Sequence, residues 1–115
     1  MLRADQIDDF IHQGYVRIDE AFPRALAEEA RATFWSDLRK QGILEEDAGT
    51  WTMPVVRLGM YMQPQLVAAA NTPRLHAAFD QLCGEGAWRP CRAMGTVPVR
   101  FPSAADPGDT GWHID

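Results

Sequence analysis

Residues 95–115 read GTVPVRFPSAADPGDTGWHID. In the first part, Val97–Phe101, apolar residues stand at every second position, which is the pattern of a β-strand with one buried face. The following segment, 103–111, is rich in proline, glycine and aspartate and therefore predicts a loop. The chain then reaches Trp112–Asp115, so this stretch predicts a strand, a long loop and a second strand.

His113 and Asp115 are separated by one residue. In a β-strand, side chains two positions apart point to the same face, with Cα atoms roughly 6.6 Å apart. One imidazole and one carboxylate are two of the three ligands in the facial triad that binds non-haem Fe(II). The spacing therefore predicts that His113 and Asp115 are metal ligands. The competing interpretation is an incidental pair, because so short a pattern often arises by chance.

The composition limits the classes of function. The chain has 115 residues, 46% of them hydrophobic, and a net charge of -5, which predicts one modest globular domain over residues 1–115. Scattered basic residues and an acidic balance argue against a nucleic-acid partner. No apolar run has the length of a membrane span, and acidic residues occupy the region where a secretory signal would be apolar. We therefore expect a cytoplasmic protein with no membrane partner.

Helix and strand signals alternate along the chain. Amphipathic spacing, prolines at helix starts and glycines at helix ends predict four helices, whereas β-branched runs predict short strands. The predicted helices are Asp5–Gln13, Pro23–Lys40, Pro64–Ala70 and Pro73–Cys83, and the predicted strands are Tyr15–Ile18, Val55–Leu58 and Val97–Phe101. The fold class that follows is α+β.

Two strand arginines are candidates for binding an anionic co-substrate. Arg57 lies among apolar neighbours, where an arginine often grips a carboxylate with both arms of its guanidinium, although a surface position on an edge strand is an equal alternative. One face of the strand Val97–Phe101 is expected to line a cavity. It is either the face with the apolar side chains, beginning with Val97, or the face with Arg100. We take Arg57, Val97 and Arg100 as candidate cofactor-binding residues. Asp106 and Asp109 lie in the following loop, from which they could reach the mouth of the site, although solvated turn residues are the default interpretation.

The combination resembles the N-terminal part of the phytanoyl-CoA dioxygenase-like family of Fe(II)- and 2-oxoglutarate-dependent oxygenases. The resemblance rests on the early helix followed by Gly14–Ile18, on the long second helix, and above all on Val99–Pro102 with Gly111–Asp115. It covers the whole chain.

The resemblance implies a fold, a reaction and a ligand set. The fold is a double-stranded β-helix, or jelly-roll barrel, with helices packed outside it, and the barrel is expected to be incomplete in this chain. His113 and Asp115 would be the first two iron ligands. The family's distal histidine and the basic residue that pairs with 2-oxoglutarate have no counterpart in the sequence. We therefore expect hydroxylation of a small organic substrate, using Fe(II), 2-oxoglutarate and dioxygen, with the chain inactive alone.

Two other interpretations remain open. The chain is either a non-enzymatic α+β interaction module or truncated gene product in which His113 and Asp115 are incidental, or a simple two-ligand metal-binding protein. Fold alone does not choose among them, because function is determined by the site.

Overall fold

The computed structural model describes residues 1–109 and 111–112. These residues form an α+β fold with four α-helices and a two-stranded antiparallel sheet. The helices are α1 (Ala4–Gln13), α2 (Arg24–Lys40), α3 (Pro64–Ala70) and α4 (Pro73–Cys83), and the strands are β1 (Val55–Leu58) and β2 (Val97–Arg100). The fold class predicted from the sequence is confirmed at this level. In the described ranges, no helix combines the length and the hydrophobicity needed to cross a bilayer.

The described residues divide into two compact units. The first consists of Met1–Arg31 and Tyr61–Met94, and the second of Ala32–Met60 and the described residues from Gly95 onward. Helix α2 contributes residues to both units. A single domain over residues 1–115 stays a prediction.

Local chemistry fixes the helix ends in the first unit. Helix α1 ends at Gly14, whose φ of 82° lies in the left-handed region that glycine adopts at little cost. Helix α4 begins after Thr72, whose side-chain oxygen accepts a hydrogen bond from the Leu75 N–H at 3.3 Å. Proline occupies the first turn of both α3 and α4, where its missing N–H costs nothing. These predicted starts and stops are confirmed.

The core of the first unit is aliphatic. Leu66 of α3 is fully buried, and Ala69 and Ala78 are 6% and 2% exposed. The N-terminus is attached to α4 because the Leu2 N–H donates to the Gln81 side chain at 2.7 Å and the Gln81 amide donates back to the Leu2 carbonyl at 3.2 Å. The reciprocal pair fixes the segment that leads into α1.

Residues 15–18 are the one predicted strand that is wrong. They form irregular backbone after α1, and the Tyr15 side chain is 66% exposed. The Arg17 carbonyl accepts a hydrogen bond from the Gln6 side chain at 3.2 Å. In a strand, this carbonyl would instead accept from the backbone N–H of a neighbouring strand. In the described residues, the four-residue alternation has no strand with which to pair, and it therefore does not form a ladder.

The second unit contains the sheet and an aromatic cluster. Strands β1 and β2 pair antiparallel, with Val56 opposite Val99 and Leu58 opposite Val97. Val56 and Leu58 are 6% and 3% exposed, so this face of the sheet is packed inward. The other face carries Arg57 and Arg100. The predicted strands Val55–Leu58 and Val97–Phe101 are confirmed, the second of them ending at Arg100. The strand predicted at Trp112–Asp115 lies largely outside the described residues.

Three aromatic rings pack together beside the sheet. The ring centroids of Trp51 and Phe101 are 5.3 Å apart, and Trp35 of α2 lies 6.3 Å from both. The Trp51 indole N–H donates to the Leu44 carbonyl at 2.8 Å, which satisfies the polar end of the ring. We define Trp35, Trp51 and Phe101 as the aromatic cluster. It contributes apolar packing to this unit together with Leu38, which is 1% exposed.

Candidate functional site

The candidate site is a cleft on the polar face of the β1–β2 sheet. Antiparallel pairing sets Arg57 opposite Pro98, and residues of β2 alternate in direction, so Arg100 emerges on the same face two positions further along. Diagonal neighbours of this kind are close enough for long side chains to meet a common partner. The strand register therefore brings the two arginines together although 42 other residues separate them in the sequence.

The two arginines converge on one carboxylate. Arg100 binds Asp109 with both arms of its guanidinium, Nη2 to Oδ2 at 2.6 Å and Nη1 to Oδ1 at 3.2 Å. Arg57 Nη2 contacts Oδ2 of the same carboxylate at 3.3 Å. Charge-assisted, two-armed contacts of this kind are the strongest that an arginine makes to a carboxylate. We call Arg57, Arg100 and Asp109 the arginine clamp.

Exposure differs within the arginine clamp. The Asp109 side chain is 16% exposed, whereas the side chains of Arg57 and Arg100 are 49% and 54% exposed. The carboxylate is therefore the covered member, and the outer surfaces of both cations face the cleft. Since two guanidinium groups meet one carboxylate, the arginine clamp carries one net positive charge.

A loop turn presents Asp109 to the arginines. Gly108 has a φ of 77°, in the left-handed region, and its N–H donates to the Asp106 side chain at 2.8 Å. An aspartate that binds the backbone two residues later closes a tight turn, and glycine allows the positive φ there. Asp106 thus shapes the turn, and Asp109 follows it.

The cleft has a volume of about 670 Å³ and is lined by Arg57, Thr96, Pro98, Arg100, Asp109, Gly111 and Trp112. This volume lies within the range of small-molecule sites, roughly 300–1,000 Å³. Apolar surface from Pro98 and Trp112 stands beside the charged groups. A cleft with a few convergent polar groups and apolar walls is suited to a small organic anion.

Of the three candidate cofactor-binding residues, two lie in the cleft. Arg57 and Arg100 line it, whereas Val97 belongs to the opposite face of the sheet, opposite Leu58. The sequence left two interpretations of Asp109, a loop residue that reaches the site and a solvated turn residue, and the structure supports the first. An acidic loop following a strand arginine was the available signal, but only the folded loop shows that its carboxylate reaches both guanidinium groups.

The predicted metal ligands, His113 and Asp115, lie outside the described residues. Among the residues that are described, no three histidine, cysteine or acidic side chains come together in a way that would hold a metal ion. The other two histidines have local partners: the His12 ring lies 2.7 Å from the Asp8 carbonyl, and the His76 ring lies 3.1 Å from the Asn71 side chain.

The Arg100 hydrogen bonds lower the pKa of the Asp109 carboxyl below its usual range, and the charges of Arg100 and Arg57 lower it further. A carboxyl group whose pKa is lowered in the folded state stabilises the fold at pH values above its unfolded-state pKa. This stabilisation is lost as the pH falls through the folded-state pKa.

The Asp109 titration can be followed by NMR at the carboxyl carbon. We expect its pKa to lie below that of an ordinary aspartate and to rise in Arg100→Gln. Asp5 is the control, because Arg3 rather than Arg100 lowers its pKa, and its titration is expected to be the same in Arg100→Gln. An unchanged Asp109 titration in Arg100→Gln would contradict the clamp.

Comparisons of the chain with protein-family models, with curated proteins and with solved structures give no match.

Proposed function

We propose that this chain belongs to an Fe(II)- and 2-oxoglutarate-dependent oxygenase of the phytanoyl-CoA dioxygenase-like type, which hydroxylates a small organic substrate. The observation that carries the proposal is the cleft, because it joins two cationic side chains to Trp112, the residue immediately before His113. In the sequence, the proposed iron ligands therefore follow directly after a residue that lines the cleft.

The sheet itself supports the proposal. One face packs Val56 and Leu58 inward, and the other carries polar groups beside a cleft. A jelly-roll barrel is built from antiparallel strands whose two faces differ in this way. In the proposed arrangement, β1 and β2 are two strands of such a barrel.

The residues of the proposed centre have distinct roles. His113 and Asp115 hold the iron, which when bound supplies the oxidative chemistry for 2-oxoglutarate decarboxylation and substrate hydroxylation. Arg57 and Arg100 attract and orient a carboxylate, and Pro98 and Trp112 offer apolar surface beside it. Val97, on the packed face, supports the strand that carries Arg100.

The proposal is tested by turnover. The chain is expressed together with any coding sequence that follows it in frame, loaded with Fe(II) under anaerobic conditions, and mixed with 2-oxoglutarate and dioxygen. We expect succinate to form only when Fe(II) is present. Absence of succinate from a folded protein that contains the downstream sequence would overturn the proposal and favour the interaction module.

A further inference from the structure

We propose that the arginine clamp is a binding site for a small carboxylate ligand and that Asp109 occupies it as an internal competitor. The ligand would take the place of the Asp109 carboxylate between Arg57 and Arg100, and the loop that carries Asp109 would move away. The clamp binds a carboxylate without a metal, so this inference stands whether or not the chain is part of an oxygenase.

The first argument is geometric. The clamp already holds a carboxylate in the way in which it would hold a ligand: one guanidinium binds both oxygens, and a second binds one of them from the side. The guanidinium fork matches a carboxylate with two parallel N–H groups. The position of the Asp109 side chain therefore shows that the site accepts a carboxylate.

The second argument is charge. The described lining of the cleft contains two cations and one anion, so a monoanion that replaces Asp109 leaves the charge balance of the clamp unchanged. The Asp109 carboxylate lies 3.3 Å from Arg57 Nη2 and 2.6 Å from Arg100 Nη2, so its hydrogen bond to Arg57 is the weaker of the two. A ligand that is free to shift within the cleft can bind both arginines at shorter distances.

The third argument is space and attachment. About 670 Å³ lies open beside the clamp, enough for the carbon chain attached to a carboxylate. In the described residues, Asp109 belongs to an irregular loop without helix or strand, and the turn before it is closed by the Asp106 side chain. Moving such a loop breaks neither a helix nor a strand ladder.

The chemical class is a carboxylate with a short apolar or polar chain. A dicarboxylate such as 2-oxoglutarate and a monocarboxylate substrate both present this group. The walls of the cleft distinguish them: Pro98 and Trp112 favour an apolar chain, whereas Thr96 offers a hydroxyl to a second polar group.

The experiment uses Asp109→Asn, which preserves the shape of the side chain but removes its charge. Binding of 2-oxoglutarate, succinate and hexanoate is measured by isothermal titration calorimetry in metal-free buffer. We expect Asp109→Asn to bind the preferred carboxylate at least about tenfold more tightly than the unaltered chain, because the competent site is no longer occupied internally. Asp106→Asn is the control for a neighbouring loop charge and is expected to give a smaller gain.

A second variant identifies the receptor groups. Adding Arg100→Gln to Asp109→Asn is expected to remove the gain in affinity, because the two-armed contact is lost. Stronger binding of the two dicarboxylates indicates a co-substrate site, and stronger binding of hexanoate indicates a substrate site. Equal affinity of Asp109→Asn and the unaltered chain for all three ligands, or a gain that persists without Arg100, would overturn the inference. Because the titration contains no iron, failure of the turnover assay leaves its result intact.

Discussion

Replacing His113 with alanine is expected to lower Fe(II)-dependent succinate formation by more than about a hundredfold, since even changes behind the ligand shell of a metal cost 10–100-fold. The expectation rests on the proposed role of His113 as one of three protein ligands on one face of the ion. Removing an imidazole leaves too few ligands to keep Fe(II) in place during turnover. The measurements are the initial rate of succinate release at saturating 2-oxoglutarate and the Fe(II) affinity, both in the protein expressed with any coding sequence that follows in frame.

His12→Ala is the matched control. His12 lies near the end of α1, is exposed, and contacts the Asp8 carbonyl of its own helix. Its replacement removes the same side chain from the same protein and is expected to leave succinate formation within about twofold, as for a surface change away from the site. If His113→Ala bound Fe(II) as tightly as the unaltered chain, the metal ligands would lie elsewhere and the proposed centre would be wrong.

Trp51→Ala is expected to destabilise the second unit by roughly 3 kcal/mol, the lower end of the range for aromatic truncations in protein cores. The lower end applies because Trp51 is partly exposed. The substitution removes ring contacts to Trp35 and Phe101 and leaves the Leu44 carbonyl without its indole donor. Urea denaturation followed by circular dichroism measures the change in the free energy of unfolding.

Trp51→Phe separates the two contributions. Phenylalanine keeps an aromatic ring but cannot donate to Leu44, so we expect a loss of about 1 kcal/mol, the usual net value of one hydrogen bond. Trp112→Ala is the control for loss of a tryptophan, because the Trp112 side chain is fully exposed. Equal destabilisation by Trp51→Ala and Trp112→Ala would show that the aromatic cluster does not support this unit.

Local sequence determined the helices and the two strands of the sheet. Prolines at the starts of α3 and α4, Thr72 at the cap of α4, and Gly14 and Gly84 at helix ends act through their own backbone geometry, so the sequence identifies them without a fold. The alternation in β2 likewise follows from the two-residue period of a strand. The pair His113 and Asp115 is a prediction of the same local kind.

Tertiary structure decided everything that depends on a partner distant in sequence. In residues 15–18, apolar and polar side chains alternate as in a strand. A strand also needs a second backbone to bond with, and the described part of the chain offers none to this segment. The meeting of Arg57 and Arg100 depends on strand register, and the role of Asp109 depends on where a loop returns. A one-residue shift in register would place Arg57 on the packed face, so the sequence identified these three residues as candidates but did not show that they meet.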